Sequence, residues 1–426
     1  MVLKGEWCIT KCRYLLFAVF NIAFISQAAQ FQPTTGGNLD NSDNWNTPSD
    51  NSFAIMKAQS APLTISSSLA TLPNPKGNLS YRNCVYTNEW PSGWKMYGTG
   101  TFEIQSSSSL LQKSGTLSFA GEQNKIGGIF DISGQDSVVE LGTTEVSGSI
   151  KVSSSATFKP NMNLTIKDGG ALSIENANLY HNTGDSGPLY RIKLNSGGVL
   201  SATSATITLP TGKSGIEIID STAVIDGSTL SIGNNGSAIG GDSGTILFCG
   251  NSSTIDHRFT MAGDDFTFCV SNTTVNFTPK TATDLFITGT GSSDEEYAKK
   301  LRFCGAAPRL TIASSNGFHL RGSKGVTLQF DIGKDGFPTD KAIVEITEGG
   351  SFKGDKQTCQ SSKILVNVLP GCKVGAYTLL KGKNAATFLT GDNKWIVNND
   401  RAVISAKGDD EVIVTIKPIG FALIIR

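Results

Sequence analysis

LSIENANL (172–179), LSATSATI (200–207), AVIDGSTL (223–230), FCGNSSTI (248–255), FCVSNTTV (268–275) and FCGAAPRL (303–310) align without a gap. Each begins on an apolar residue and ends on one seven positions later. Five of the six carry a small or short residue five positions after the first (Ala177, Ala205, Ser228, Ser253, Thr273), and Pro308 is the exception. The starts lie 28, 23, 25, 20 and 35 residues apart. The first and third positions point inward by the period of two of a strand, as do the sixth and eighth. Between them sit turn residues such as Glu175-Asn176, Asp226-Gly227 and Asn251-Ser252, the chemistry of a tight corner. An antiparallel sandwich shows turn signals but no shared register. A register shared at 20–28 residues is one turn of a coil. The fold class expected is therefore all-β, a single-stranded parallel β-helix in which each coil stacks on the last. Phe248 and Phe268 are expected in adjacent coils of one internal stack.

Outward from this repeat, alternating Ser/Thr/Gly-rich stretches run upstream to about residue 100 and downstream to about residue 350, such as GTFEIQ, GSIKVSS and VTLQFDI. The β-helix is assigned to residues 100–360. Residues 29–99 read as an N-terminal cap with the first strands. Residues 361–426 read as an antiparallel β cap, with Lys407-Gly408-Asp409-Asp410 as a hairpin turn. Solenoid ends must differ from the middle, and Trp45, Trp90, Trp94 and Trp395 lie only there. The long step before Phe303 holds GTGSSDEEYAKK (289–300), expected to protrude from the rod.

Residues 1–28 have the pattern of a secretory signal. Lys4, Lys11 and Arg13 precede the apolar run LLFAVFNIAFI (15–25), and small residues follow, with cleavage expected near Ala28. An eleven-residue run is too short for a span of about 20 residues, so no membrane span is expected in the mature chain. The chain has 36 basic and 36 acidic residues among 426, which excludes a nucleic-acid footprint. The reading is a secreted or cell-surface protein.

The opening GGNLDNSDNW (36–45), the strand PLTISSSL (62–69) and the segment AYTLL (376–380) resemble secreted bacterial parallel β-helix proteins of the autotransporter-passenger type, with a pectin-lyase-like solenoid. The resemblance implies a surface or secreted role, often adhesive or structural. It departs at the C-terminus, where 361–426 is too short for a translocator barrel, so export by another route is expected.

Chemistry is sparse. Polygalacturonases carry Asn-Thr-Asp, Asp-Asp, Gly-His-Gly and Arg-Ile-Lys in that order. Here Arg191-Ile192-Lys193 precedes Asp264-Asp265, and the other two motifs are missing. His181, His257 and His319 are isolated, without the partners of a triad. Asp40–Asp50 lacks the glycine and glutamate of a calcium loop, and neither it nor Asp294-Glu295-Glu296 is read as a metal site. No metal or cofactor is expected. Glu175 and Asp226 share a corner position two coils apart, the spacing of two glycosidase carboxyls, and are the catalytic candidates. Corners favour acidic residues in any case. Trp90, Trp94 and Tyr97, with Tyr81 and Tyr86, are candidates to stack on sugar rings or to cover the first coil. Cys249, Cys269 and Cys304 each follow an inward Phe and are expected in one outward column, with Cys249–Cys269 and Cys359–Cys372 as disulfides. A non-enzymatic adhesive, structural or carbohydrate-binding role is expected, with polysaccharide or a cell-surface ligand as partner. The alternative is a polysaccharide-active glycoside hydrolase or lyase, which would gather charges of both signs in a groove.

Overall fold

Alternating apolar and polar residues give every strand an interior face, and short corner residues bend the chain before a strand can lengthen. In the computed structural model these two tendencies produce a coil of three short strands, repeated along an axis. The structure describes residues 29–31, 45–46, 54–56, 63–65, 78–82, 85–90, 93–181, 191–210, 214–233, 238–263, 265–279, 286–287, 299–320, 326–354, 363–389 and 395–418. The signal pattern, Cys84, Cys359, Asp264, residues 289–298 and most of 40–50 lie outside them.

One coil runs Ile192–Leu194, Val199–Thr203 and Thr206–Leu209; the next runs Gly215–Ile218, Thr222–Asp226 and Thr229–Ile232. Each strand pairs in parallel with its counterpart: Ile192 with Ile216, Leu200 with Ala223, Ile207 with Leu230. Stacking generates three parallel sheets, called A, B and C in the order the chain visits them; sheet A has 15 strands. The protein is a parallel β-solenoid.

The interior is mainly apolar, with a few buried polar side chains such as Asn88 and Gln112, which hydrogen-bond each other at 2.8 Å. Leu172, Ile174, Leu200, Ile207, Ala223, Ile225 and Leu230 are buried. Phe248, Phe268 and Phe259 form one aromatic stack, with ring centroids 5.0 and 5.4 Å apart. The small residue at the sixth position is buried at the B-to-C corner. Its hydroxyl, where it has one, serves the backbone: Ser228 Oγ accepts from Ala205 N at 3.0 Å, and Ser253 Oγ accepts from Ser228 N at 3.2 Å. The residue just before is left-handed coil after coil: Asn176 (φ 49), Ser204 (φ 50), Gly227 (φ 52), Asn272 (φ 53). Asn and Gly tolerate that conformation best, which explains the corner composition.

Register differs from the gapless alignment in one respect. Phe248 pairs with Ile225 and with Val270, while Phe268 pairs with Ile246 and Leu301. Phe248 and Phe303 therefore sit two residues later on sheet B than their alignment implied. The reason is corner length: two further residues separate Phe248 from Ile255, relative to Ile225 and Leu230, although Ile255 still pairs with Leu230. A shift of two keeps inward residues inward, so apolar spacing is blind to it. Phe248 and Phe268 remain inward neighbours in adjacent coils.

Parallel pairing extends beyond 100–360 in both directions. Ala54–Met56 pairs with Leu79–Tyr81, and that with Phe102–Ile104. Val326–Ile332 pairs with Lys363–Val368, and that with Trp395–Val397. Among the described residues antiparallel pairing occurs at the two ends: Ala29–Phe31 with Trp45–Asn46, and Glu411–Ile416 with Gly375–Lys381 and with Ala402–Lys407. Tyr81 and Tyr86 fill the interior of an early coil edge to face, 5.0 Å apart.

Phe268 is wholly buried between two aromatic rings. Phe268→Ala should cost about 3–5 kcal/mol by transfer and cavity formation. A urea titration followed by circular dichroism checks this. A midpoint unchanged from wild type would contradict the packing.

Candidate functional site

In-register stacking turns every outward strand position into a column of residues about 4.8 Å apart. The three sheets carry different columns.

Sheet C carries hydroxyls and amides. One column reads Asn178, Thr206, Thr229, Thr254, Asn276, Thr311. A second, two residues along each strand, reads Thr208, Ser231, Asp256, Thr278. Asp256 Oδ1 is turned to the backbone, accepting from Ile232 N at 2.8 Å. This field, polar and uncharged apart from Asp256, has charged brackets. On its N-terminal side Lys159 meets Glu140 at 3.1 Å. On its C-terminal side Glu345 bonds Arg309 and meets Lys381 at 3.3 Å.

Sheet A carries alternating charge. Glu103, Lys125, Glu145, Thr165, Lys193 and Glu217 succeed one another across neighbouring strands. The ladder stops at Gly240, and a notch opens there, lined by Arg191, Glu217, Gly240, Gly241, Asp242 and Gly263. A side chain at Gly241 would overlap the Ile218 carbonyl. Arg191 and Lys193 flank Glu217 at 3.7 and 3.6 Å, one on each carboxylate oxygen. The notch gathers both signs, but its glutamate is already neutralised by two cations.

Sheet B holds the catalytic candidates. Glu175 and Asp226 do share a column, through Thr203, two coils apart. Glu175 faces Lys151 at 3.9 Å and is half exposed. Asp226 Oδ1 accepts from Asn251 N at 2.7 Å and from its side-chain amide at 3.2 Å, fastening one corner to the next. Both carboxylates have structural partners, Lys151 for Glu175 and Asn251 for Asp226.

The cysteines depart from the single outward column. Asp226 pairs with Cys249 and Ser271 with Cys304, but Cys269 pairs with Leu247 and Arg302, one outward position earlier. The two-residue corner extension separates Cys249 from Cys269, which removes the geometric reason for a bond between them. Cys249, Cys269, Cys304 and Cys372 are all free thiols. Cys359, the other half of the second expected pair, lies outside the described residues.

Trp90 is buried and accepts Ser114 Oγ at its carbonyl, 2.6 Å away, so it belongs to the core. Trp94 and Tyr97 are exposed, 41% and 54%, and remain available to a ligand. His181 is fully buried, with Nε2 3.0 Å from the Met162 carbonyl; burial pushes its pKa down. His257 occupies a left-handed corner position (φ 60), and His319 lies on a sheet A strand. Among the described residues no three metal-ligating side chains converge, and no helix is long and apolar enough to cross a membrane. No protein family matches the chain, and no curated protein and no solved structure is significantly similar to it.

Sequence reading missed the sheet C columns as a site, although the T-x-T and T-x-S spacing in TIT (206–208) and TLS (229–231) carries them.

Burial alone would raise the Glu345 carboxyl, but hydrogen bonds and charge from Arg309 and Lys381 outweigh it and hold the group below its ordinary value. A carboxyl held down by folding adds stability above the unfolded value, about 4.3, and that stability is lost as pH falls through the folded value. The unfolding temperature of wild type should therefore fall further than that of Glu345→Gln on acidification from about pH 5. Parallel melts check this, and equal falls would contradict the ion-pair geometry.

Proposed function

We propose that this protein is a secreted or cell-surface β-solenoid with an adhesive or structural role, binding neutral polysaccharide on sheet C. The observation that carries the reading is the hydroxyl and amide column from Asn178 to Thr311, in register over six strands, with the shorter column from Thr208 to Thr278 beside it and charge at both ends. Hydroxyl and amide groups both donate and accept, which suits the hydroxyls of a sugar chain. A β-sheet surface already fixed by backbone pairing loses little freedom when a ligand docks. The signal pattern of residues 1–28 and the resemblance to autotransporter-passenger-type proteins support an exported location. The exposed Trp94 and Tyr97 lie toward the N-terminal end of the same sheet and offer ring faces.

A polysaccharide-active enzyme is the second reading. It is favoured by one feature, the notch where Arg191, Glu217 and Asp242 meet. It requires a free acid and base pair, whereas Glu217 is bracketed by two cations and Asp226 is committed to Asn251.

Pull-down on insoluble neutral glucans and chitin, with pectin as the acidic comparison, tests the first reading. Retention should be strongest on a neutral polymer. Thr206→Lys combined with Thr254→Lys should cut it at least about tenfold, the loss of one or two hydrogen-bonded contacts plus added desolvation, with circular dichroism unchanged. Absence of retention on every neutral polymer would overturn the binding reading. Release of reducing ends that Glu217→Gln abolishes would promote the enzyme.

A further inference from the structure

The corner that displaces Cys269 from the Cys249–Cys304 column creates a thiol pair of unusual geometry. Cys269 Sγ and Cys304 Sγ are 3.9 Å apart, within hydrogen-bond reach for sulfur. Their residues are not opposite each other: Cys269 pairs with Arg302, two positions before Cys304. One strand spacing of about 4.8 Å and two residues of rise, about 6.6 Å, place the Cα atoms roughly 8 Å apart. A disulfide requires about 4.4–6.8 Å. The two sulfurs touch through their side chains, but the backbones are too far apart to be bonded without moving a coil.

The surroundings distinguish the two thiols. Cys269 is 5% exposed, whereas Cys304 is half-buried and opens to solvent. Ser271 stands opposite Cys304 and its hydroxyl favours the thiolate. Arg302 stands opposite Cys269, fixed by Asp331 at 2.6 Å. Asp331 is itself held by Gln329 at 2.8 Å and Asn367 at 2.7 Å, so the guanidinium cannot swing away. The groups facing Cys304 are thus Cys269 and Ser271 from one neighbouring strand, Arg302 from its own, and Asp331 from the other.

We propose that Cys304 is the reactive thiol among the described cysteines, a site that captures small disulfides as mixed disulfides, with buried Cys269 acting as a fixed S–H donor to it rather than as its bonding partner. The Cys304 thiolate attacks one sulfur of a disulfide R–S–S–R. The new Cys304–S bond forms as the reagent's S–S bond breaks, and RS⁻ leaves with the electron pair and takes a proton from water. Cys304 sulfur is oxidised and the departing sulfur is reduced, with no other oxidant needed. Cys269 keeps its proton throughout. The Cys269 hydrogen bond is the largest influence lowering Cys304; burial opposes it, Ser271 and Arg302 reinforce it, Asp331 opposes, and the thiol is pulled down to about 6. The same contact and burial push Cys269 up. Cys249 is raised by burial and by Asp226.

Timed labelling of the purified protein with dithiobis(nitrobenzoate), followed by peptide mapping, tests this. Allowing for the lower nucleophilicity of a more acidic thiol, Cys304 should react at least roughly 20-fold faster than Cys249 at about pH 6, an advantage that shrinks as pH rises. Its rate should fall as pH drops through about 6. Cys304→Ser should remove the fast phase, and Cys269→Ala should move its pH midpoint upward. Cys269→Ser, which keeps a donor, should move it less and serves if the alanine variant does not fold. Cys304 reacting no faster than Cys249 at about pH 6 would overturn the proposal. So would a midpoint unmoved by Cys269→Ala, or peptide mapping that finds Cys269 and Cys304 already joined.

Discussion

Everything in this molecule follows from parallel backbone pairing between one coil and the next. Because the strands are parallel and in register, a residue meets its own equivalent above and below, about 4.8 Å away. Inside, this stacks Leu on Leu and Phe on Phe, as in Leu172 on Leu200. Outside, it stacks whatever chemistry occupies a position. The same hydrogen bonds that build the core therefore also write the surface, one column at a time.

The interior was legible because burial imposes apolar residues at a fixed period, and six short segments displayed it together. The corner was legible because a left-handed residue selects Gly, Asn or Ser, as at Gly227, Asn176 and Ser204. What the sequence hid was corner length. Two extra residues near Gly250 leave Phe248 inward and Ile255 inward, so the apolar pattern reads the same. The surface does not read the same: Cys269 leaves the column of Cys249 and Cys304. The placement of Glu175 over Asp226 was legible because no such extension falls between them. Their partners, Lys151 and Asn251, were not, since they come from neighbouring coils that side-chain reach alone decides.

The three faces divide their chemistry. Sheet A carries opposite charges that alternate along the axis, so most ion pairs are made between coils and are screened by solvent. Sheet C is nearly free of charge between Glu140–Lys159 and Glu345 with its two cations. Sheet B mixes apolar, thiol, acidic and basic groups, Lys151 and Arg302 among them. A partner approaching sheet C thus meets hydroxyls and amides without first displacing an ion pair, which is the physical basis for assigning recognition to that face.

The direction of the inter-coil hydrogen bonds has a mechanical consequence. They run along the long axis, so tension applied end to end loads one coil's bonds at a time, whereas sideways force on a face is shared by many strands. A coil such as that from Leu200 to Ala223 holds 23 residues. Once detached it extends to roughly 80 Å, at about 3.5 Å per residue. A solenoid anchored by its ends would lengthen in discrete steps under load, dissipating work while the remaining coils stay folded. One held along its flank would resist as a stiff plate.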